Sequence, residues 1–192
     1  MIYRILSIVL IIAATVVYSL YSKKSLESQL VSDIQNTSVL AEMPKAEFTT
    51  LEGKSFPLES LFQDQRVDLL IVHFWGTWCA PCEAELPELL SFIKRFEGQM
   101  TIKFVLVAAN DDALKIKKHL KSLTIPEKAA LYWLMDNNNV HRDIFGTTRV
   151  PETYVFSSGK ATLRKFLGPQ EWNKPLFYQT FDELIEISSR KL

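Results

Sequence analysis

Two uninterrupted runs of apolar, β-forming residues, 67–75 and 101–109, confine the architecture of this 192-residue chain more than any other feature. Runs of this kind are strands buried on both faces of a parallel sheet. Between them Leu86, Leu89, Leu90, Ile93 and Phe96 recur at helical spacing, so the three segments make a β-α-β unit. Upstream, residues 48–51 and 55–58 flank Glu52-Gly53-Lys54 and form a small hairpin, followed by a short helix over residues 59–62. Downstream the alternation continues with a helix over 111–123, a strand over 129–135 and a short helix over 140–145 that stops at Gly146. Residues 152–156 and 161–167 bracket Ser157-Ser158-Gly159-Lys160 as a second hairpin. A last helix over 175–188 turns Leu176, Phe177, Phe181, Leu184 and Ile185 inward.

The expected class is therefore α/β, a central mixed sheet flanked by helices, over residues 44–192. With 47% of residues hydrophobic, the chain has enough apolar surface for one sizeable core. Basic and acidic residues balance at 22 each, which argues against nucleic acid as a partner. Lys115, Lys117, Lys118, His119 and Lys121 read as the wet face of one helix.

Residues 1–22 are a different kind of segment. Residues 5–21 are apolar apart from scattered Thr, Ser and Tyr, and span about 26 Å as a helix, close to a bilayer core. They read as a signal anchor, a transmembrane helix kept in the mature protein; a cleaved signal peptide is the rival, with Val17-Tyr18-Ser19 as a poor cleavage site. Arg4 on one side and Lys23 and Lys24 on the other leave orientation open. Residues 23–43 are polar, mixed in charge and without apolar period, and read as a tether.

The chain has two cysteines, too few for a disulfide scaffold or a four-thiolate zinc site. They stand as Cys79-Ala80-Pro81-Cys82, where the strand over 67–75 hands over to a helix beginning near Pro81. A sulfur at a helix N-terminus meets unpaired N–H groups and the positive end of the helix dipole, which favour the thiolate. Pro81 suits that first turn because it has no N–H to leave unsatisfied. Cys82 falls a turn deeper, where a resolving thiol belongs. Half a zinc site or a structural disulfide also fits a bare C-x-x-C, but His73, His119 and His141 show no finger spacing.

The segment HFWGTWCAPCEAELPEL, His73 to Leu89, resembles the active-site segment of thioredoxins, most closely the membrane-anchored TlpA/ResA/CcmG(DsbE)-like thiol-disulfide oxidoreductases. Pro87, Val150-Pro151-Glu152-Thr153 and Gly159 match the helix-kinking proline, the cis-proline loop and the glycine of the following hairpin in that family. The resemblance implies a thioredoxin fold with an N-terminal β-hairpin extension and an inserted helix-strand unit over residues 111–135. It implies a cis bond before Pro151 that puts Val150 beside Cys79, ready to pair with an extended substrate strand. It assigns Trp78 to covering the active site and likens Glu152 to the acidic residue of the Pro-Glu-Thr in cytochrome-maturation reductases. From residues alone, Glu152 is equally a solvent-facing loop charge and Trp75 plain core.

His73 departs from the family, which has a buried Asp or an Asn there; it reads either as the carrier of the proton Cys82 must lose or as a neutral core imidazole. Glu83 and Glu85 set negative charge against the dipole, which disfavours the thiolate and makes a more reducing couple, unless they are simply a solvated first turn.

The function implied is extracytoplasmic reduction of partner-protein disulfides, with Cys79 as nucleophile and Cys82 resolving, on the outer side of the cytoplasmic membrane. Apocytochrome c is the first substrate by resemblance and a copper-site protein the second. Electrons would come from a membrane donor of CcdA/DsbD type. No bound cofactor and no metal is needed. A different class of function is a thiol-based copper-binding protein on the same scaffold; a peroxidase is disfavoured because it uses an isolated cysteine in another loop.

Overall fold

The computed structural model describes Thr15, Tyr18, residues 40–63 and residues 66–190, the side chains of 189 and 190 excepted. The chain divides into two units, Met1–Val39 and Leu40–Leu192. Apart from Thr15 and Tyr18, the apolar run read as an anchor lies outside the described residues, as do residues 23–39 of the tether. Among the described residues no helix is long and apolar enough to cross a membrane.

The second unit runs β1 (Glu47–Thr50), β2 (Ser55–Pro57), a 3-10 turn (Leu58–Phe62), β3 (Leu69–Trp75), α1 (Ala80–Lys94), β4 (Ile102–Ala109), α2 (Ala113–Leu120), β5 (Ala130–Asp136), α3 (Val140–Asp143), β6 (Glu152–Ser157), β7 (Thr162–Leu167) and α4 (Pro175–Arg190). One seven-stranded sheet takes the order β2-β1-β5-β4-β3-β6-β7. β3, β4 and β5 are parallel, while β1, β2, β6 and β7 pair antiparallel. This is a thioredoxin fold with the expected hairpin at its start. The expected insertion is α2 and β5, which add to the sheet beyond β4.

β3 and β4 are buried along their whole length, as unbroken apolar runs require. Alternation divides β3 between two cores. Leu69, Ile71 and Trp75 join the face packed by α1 and α4, with Leu86, Phe92, Trp172 and Phe181. Leu70, Val72 and Phe74 join the other face, with Met43, Phe48, Leu58 and Phe145. By the same alternation His73 falls on the α1 side. Phe92 is the hub there, touching Phe96, Phe104, Trp172, Phe177 and Phe181; truncating such a buried ring costs about 3–5 kcal/mol.

The domain takes in the end of the stretch read as tether. Met43 is buried, its N–H donates to Lys160 O, and Thr162 N–H donates to Ala41 O. The left-handed residue of the β6–β7 turn is Lys160, at φ 64°; its ammonium lies over the Phe62 ring at 5.3 Å. Two local expectations need correction. Leu176 is 74% exposed, because it falls off the stripe of Phe177, Phe181, Leu184 and Ser188 that α4 turns to the core. α2 begins only at Ala113, because Asp112 caps it by accepting from the N–H groups of Leu114 and Lys115.

Candidate active site

Cys79 is the N-cap of α1, with extended backbone, and its sulfur lies 3.3 Å from the amide nitrogen of Cys82. The two cysteines form a disulfide. Pro81 occupies the first turn, exposed, and Glu83 N–H donates to Cys79 O, so the helix starts directly at the sulfur. Cys82 is completely buried while Cys79 keeps 6% of its surface. Only Cys79 is open to an incoming disulfide; Cys82 is placed to attack Cys79 from inside.

The bond between Val150 and Pro151 is cis, and the Val150 carbonyl oxygen stands 3.7 Å from the Cys79 sulfur. The loop expected beside the cysteine is there. Gly168 N–H donates to Pro151 O and so ties the loop to the end of β7. Trp78 is 60% exposed next to the sulfur, with its indole N–H donating to Ala109 O at 2.9 Å. Gly76 lies against that indole, and a Cβ there would fall 2.7 Å from Trp78 Nε1.

A buried acid and a buried base lie on the α1 side of the sheet. His73 Nδ1 is 2.9 Å from Thr153 Oγ1, directly across the β3–β6 ladder. Its Nε2 faces Glu85 Oε1 at 3.6 Å, and neither atom has a hydrogen-bond partner. Glu85 Oε2 accepts from Gln170 N–H at 2.7 Å and from Trp172 Nε1–H at 3.0 Å. Burial pushes the imidazole down to about 3. Burial also pushes the Glu85 carboxyl up, with Glu88 adding to it and the Gln170 and Trp172 bonds opposing. Both groups are thereby driven toward their neutral forms.

This corrects the expectation for Glu85. It is no solvated first-turn charge opposing the helix dipole; only 6% of its surface is exposed. Glu83 does remain exposed, and its carboxylate lies 3.6 Å from His119 Nδ1. His119 in turn is not part of a wet face: it is half-buried, with its ring 5.9 Å from that of Trp75 and its Nε2 enclosed without a partner. Trp75 is fully buried.

Glu152 is also buried, so the solvent-facing reading fails. Its carboxylate pairs with Lys165 Nζ at 2.8 Å and accepts from Thr147 Oγ1–H at 2.8 Å and Tyr154 O–H at 2.6 Å. Burial first, then the bond to Glu152, raise the Tyr154 hydroxyl above its ordinary range. The side chain of Glu152 thus braces the cis-proline loop from inside, while its backbone sits at the loop's exit.

Sequence reasoning missed Asp111. Its carboxylate accepts from Thr77 N–H at 2.6 Å and from Thr77 Oγ1–H at 2.9 Å, two residues before the nucleophile. The Asp-Asp pair at the end of β4 was a visible signal, but it reads only as a helix start. Among the described residues no group of three or more His, Cys, Asp and Glu is placed to hold a metal ion.

Residues 67–161 match the family described as Thioredoxin-like. The thiol-disulfide oxidoreductase ResA of Bacillus anthracis is 22% identical over 163 residues, 85% of this chain and 86% of that one. The thioredoxin-like protein YneN of Bacillus subtilis (strain 168) is 26% identical over 139 residues, 72% and 71% of the two chains. Among solved structures, a thiol:disulfide interchange protein of the thioredoxin family from Chlorobium tepidum TLS superposes with a TM-score of 0.57 at 22% identity, covering 77% of this chain and 95% of its own. That structure shares the fold. A C-x-x-C disulfide at a helix N-terminus, a cis-proline beside it and relatives of this kind together make the chain a thiol-disulfide oxidoreductase, thioredoxin-like over residues 67–161.

Proposed function

We propose that the protein reduces disulfides of partner proteins outside the cytoplasm, held at the membrane by its N-terminal segment. The observation that carries the reading is the asymmetry of the cysteine pair: Cys79 at the surface on a helix N-cap beside the Val150 carbonyl, Cys82 fully enclosed.

In the reduced enzyme the Cys79 thiolate attacks one sulfur of the partner's disulfide, and the other sulfur leaves as a thiolate. Cys82 then loses its proton and attacks Cys79, displacing the partner's second sulfur. Two electrons pass to the partner, which takes up two protons, and the Cys79–Cys82 disulfide forms. The ionised fraction of Glu85, one helical turn after Cys82 and facing His73 at 3.6 Å, is the acceptor this reading gives to the Cys82 proton. No bound cofactor takes part. Cysteine pairs of apocytochrome c are the substrates this reading favours, then those of a copper-site protein. A membrane thiol carrier of CcdA/DsbD type would return the electrons, because no glutathione pool can be assumed there.

The point of chain entry supports tethering. Residues 41–43 bond to the β6–β7 turn, at the end of the sheet where Leu69 pairs with Ser157. Cys79 follows the opposite end of β3, roughly 23 Å away at strand rise. A tether raises the local concentration of membrane-bound partners.

Cys82→Ser in the full chain tests the mechanism. Partners should accumulate as adducts released by dithiothreitol, and Cys79→Ser should give none. Equal yields from both variants, or none from either, would refute the assignment of roles.

A further inference from the structure

Trp78 is 60% exposed and yet held along the polar edge of its indole. Its indole N–H donates to Ala109 O, and the ring lies so close on Gly76 that even a methyl group there would collide with it. The preceding residue, Thr77, is fixed through both its amide and its hydroxyl by the Asp111 carboxylate. All three acceptors come from one turn, residues 109–111. That turn is itself braced from β5: Asn110, left-handed at φ 50°, donates its amide to Asp136 O at 2.8 Å and its Nδ2 to Asn139 Oδ1 at 3.0 Å. Asparagine accepts that backbone conformation more readily than most residues.

We propose that the turn of residues 109–111 is a clamp that presents the outer face of Trp78 as a rigid platform for the substrate's polypeptide, with Asp111 as its positioning residue. The polar end of the indole is satisfied within the protein, so the face left to a partner is apolar. A ring already immobile loses little entropy when a chain is laid on it. Asp111 touches neither sulfur nor substrate. It acts on Thr77 and through it on Trp78, so the clamp matters for a disulfide carried on a polypeptide and hardly at all for a small one.

The inference rests on proteins being the substrates, and two independent measurements keep the two ideas apart. The first needs no substrate: in the unsubstituted full chain the Trp78 indole N–H, identified by its loss in Trp78→Phe, should exchange with solvent at least about tenfold more slowly than a free indole. In Asp111→Ala the protection should vanish, and in Asp111→Asn, which keeps an acceptor for Thr77 N–H, most of it should return. Unprotected exchange in the original chain, or equal protection in Asp111→Ala, overturns the clamp.

The second measurement compares reduction of insulin with reduction of 5,5′-dithiobis(2-nitrobenzoic acid). Failure of the unsubstituted chain on insulin counts against protein substrates and leaves the exchange result to judge the clamp. Asp111→Ala should raise KM for insulin about tenfold, with kcat and the small-disulfide rate changed less than about twofold. Equal slowing of both reactions would make Asp111 a support of the nucleophile and would overturn the platform. Should Asp111→Ala not fold, Thr77→Val removes the hydroxyl bond alone and should show the same selectivity more weakly.

Discussion

His73 Nε2 and Glu85 Oε1 face each other across 3.6 Å in the interior, and neither has a hydrogen-bond partner. The distance is too long for a hydrogen bond and too short for a solvated separation. Their environments act in opposite directions: burial lowers the imidazole to about 3 and raises the carboxyl. With Nδ1–H donated to Thr153, Nε2 is an acceptor, and a protonated Glu85 is the donor it faces. The proton then sits on the acid, one turn from Cys82, where an acid–base partner of that thiol would hold it.

The first prediction concerns stability against pH. An imidazole that ionises at 6.5 in the unfolded chain and about 3 in the folded one is bound by protons preferentially when unfolded. Its contribution is complete above pH 6.5 and is lost as pH falls toward 3, on the order of 4–5 kcal/mol in all. Glu85 has the opposite sign: its raised value gives stability that is complete below 4.5 and is lost as pH rises through the folded value. Urea unfolding between pH 3 and 7.5 should show a steep acid loss that His73→Asn flattens. Glu85→Gln should steepen the loss above pH 4.5 by removing the compensation. An acid slope unchanged in His73→Asn would mean that the imidazole is not buried neutral.

The cysteine motif was legible because its meaning is local: a strand, a turn and a helix start need few distant partners, whereas the cis bond before Pro151 came from the family resemblance. The unbroken apolar runs of β3 and β4 likewise announced strands buried on both faces. Glu85 was misread because first helical turns are usually wet, and only the fold brings Gln170 and Trp172 over it from more than eighty residues away. Glu152 was ambiguous for the same reason, since its cation Lys165 arrives on the next strand. Asp111 was invisible because its partner Thr77 lies 34 residues earlier, across two strand ends. Buried polar groups are chosen by their tertiary partners, and a sequence shows periodicity far better than it shows pairing.

A second prediction follows from Glu152 and Lys165, 2% and 9% exposed at their side chains. Removing one member of a buried pair leaves an uncompensated charge and costs about 3–5 kcal/mol. Lys165→Met should lower the urea midpoint accordingly, even though its chain length preserves packing over Tyr154. Lys165→Met combined with Glu152→Gln should recover most of the loss, because the hydroxyls of Thr147 and Tyr154 still have an oxygen to reach. A loss below about 1 kcal/mol in the single variant would mark the pair as solvent-screened.

The redox couple gives the third prediction. With Glu85 enclosed and driven toward its neutral form, Glu83 is the first-turn charge left to oppose the Cys79 thiolate. Removing it in Glu83→Gln stabilises the thiolate, hence the reduced form, and should raise the potential by roughly 10–30 mV, where 30 mV corresponds to about 1.4 kcal/mol. The side chain is 43% exposed, so the shift should shrink in 1 M salt. Equilibration of Glu83→Gln and the unsubstituted chain against glutathione decides the matter: a shift of zero or of negative sign would show that charge at this helix mouth does not set the poise of the couple.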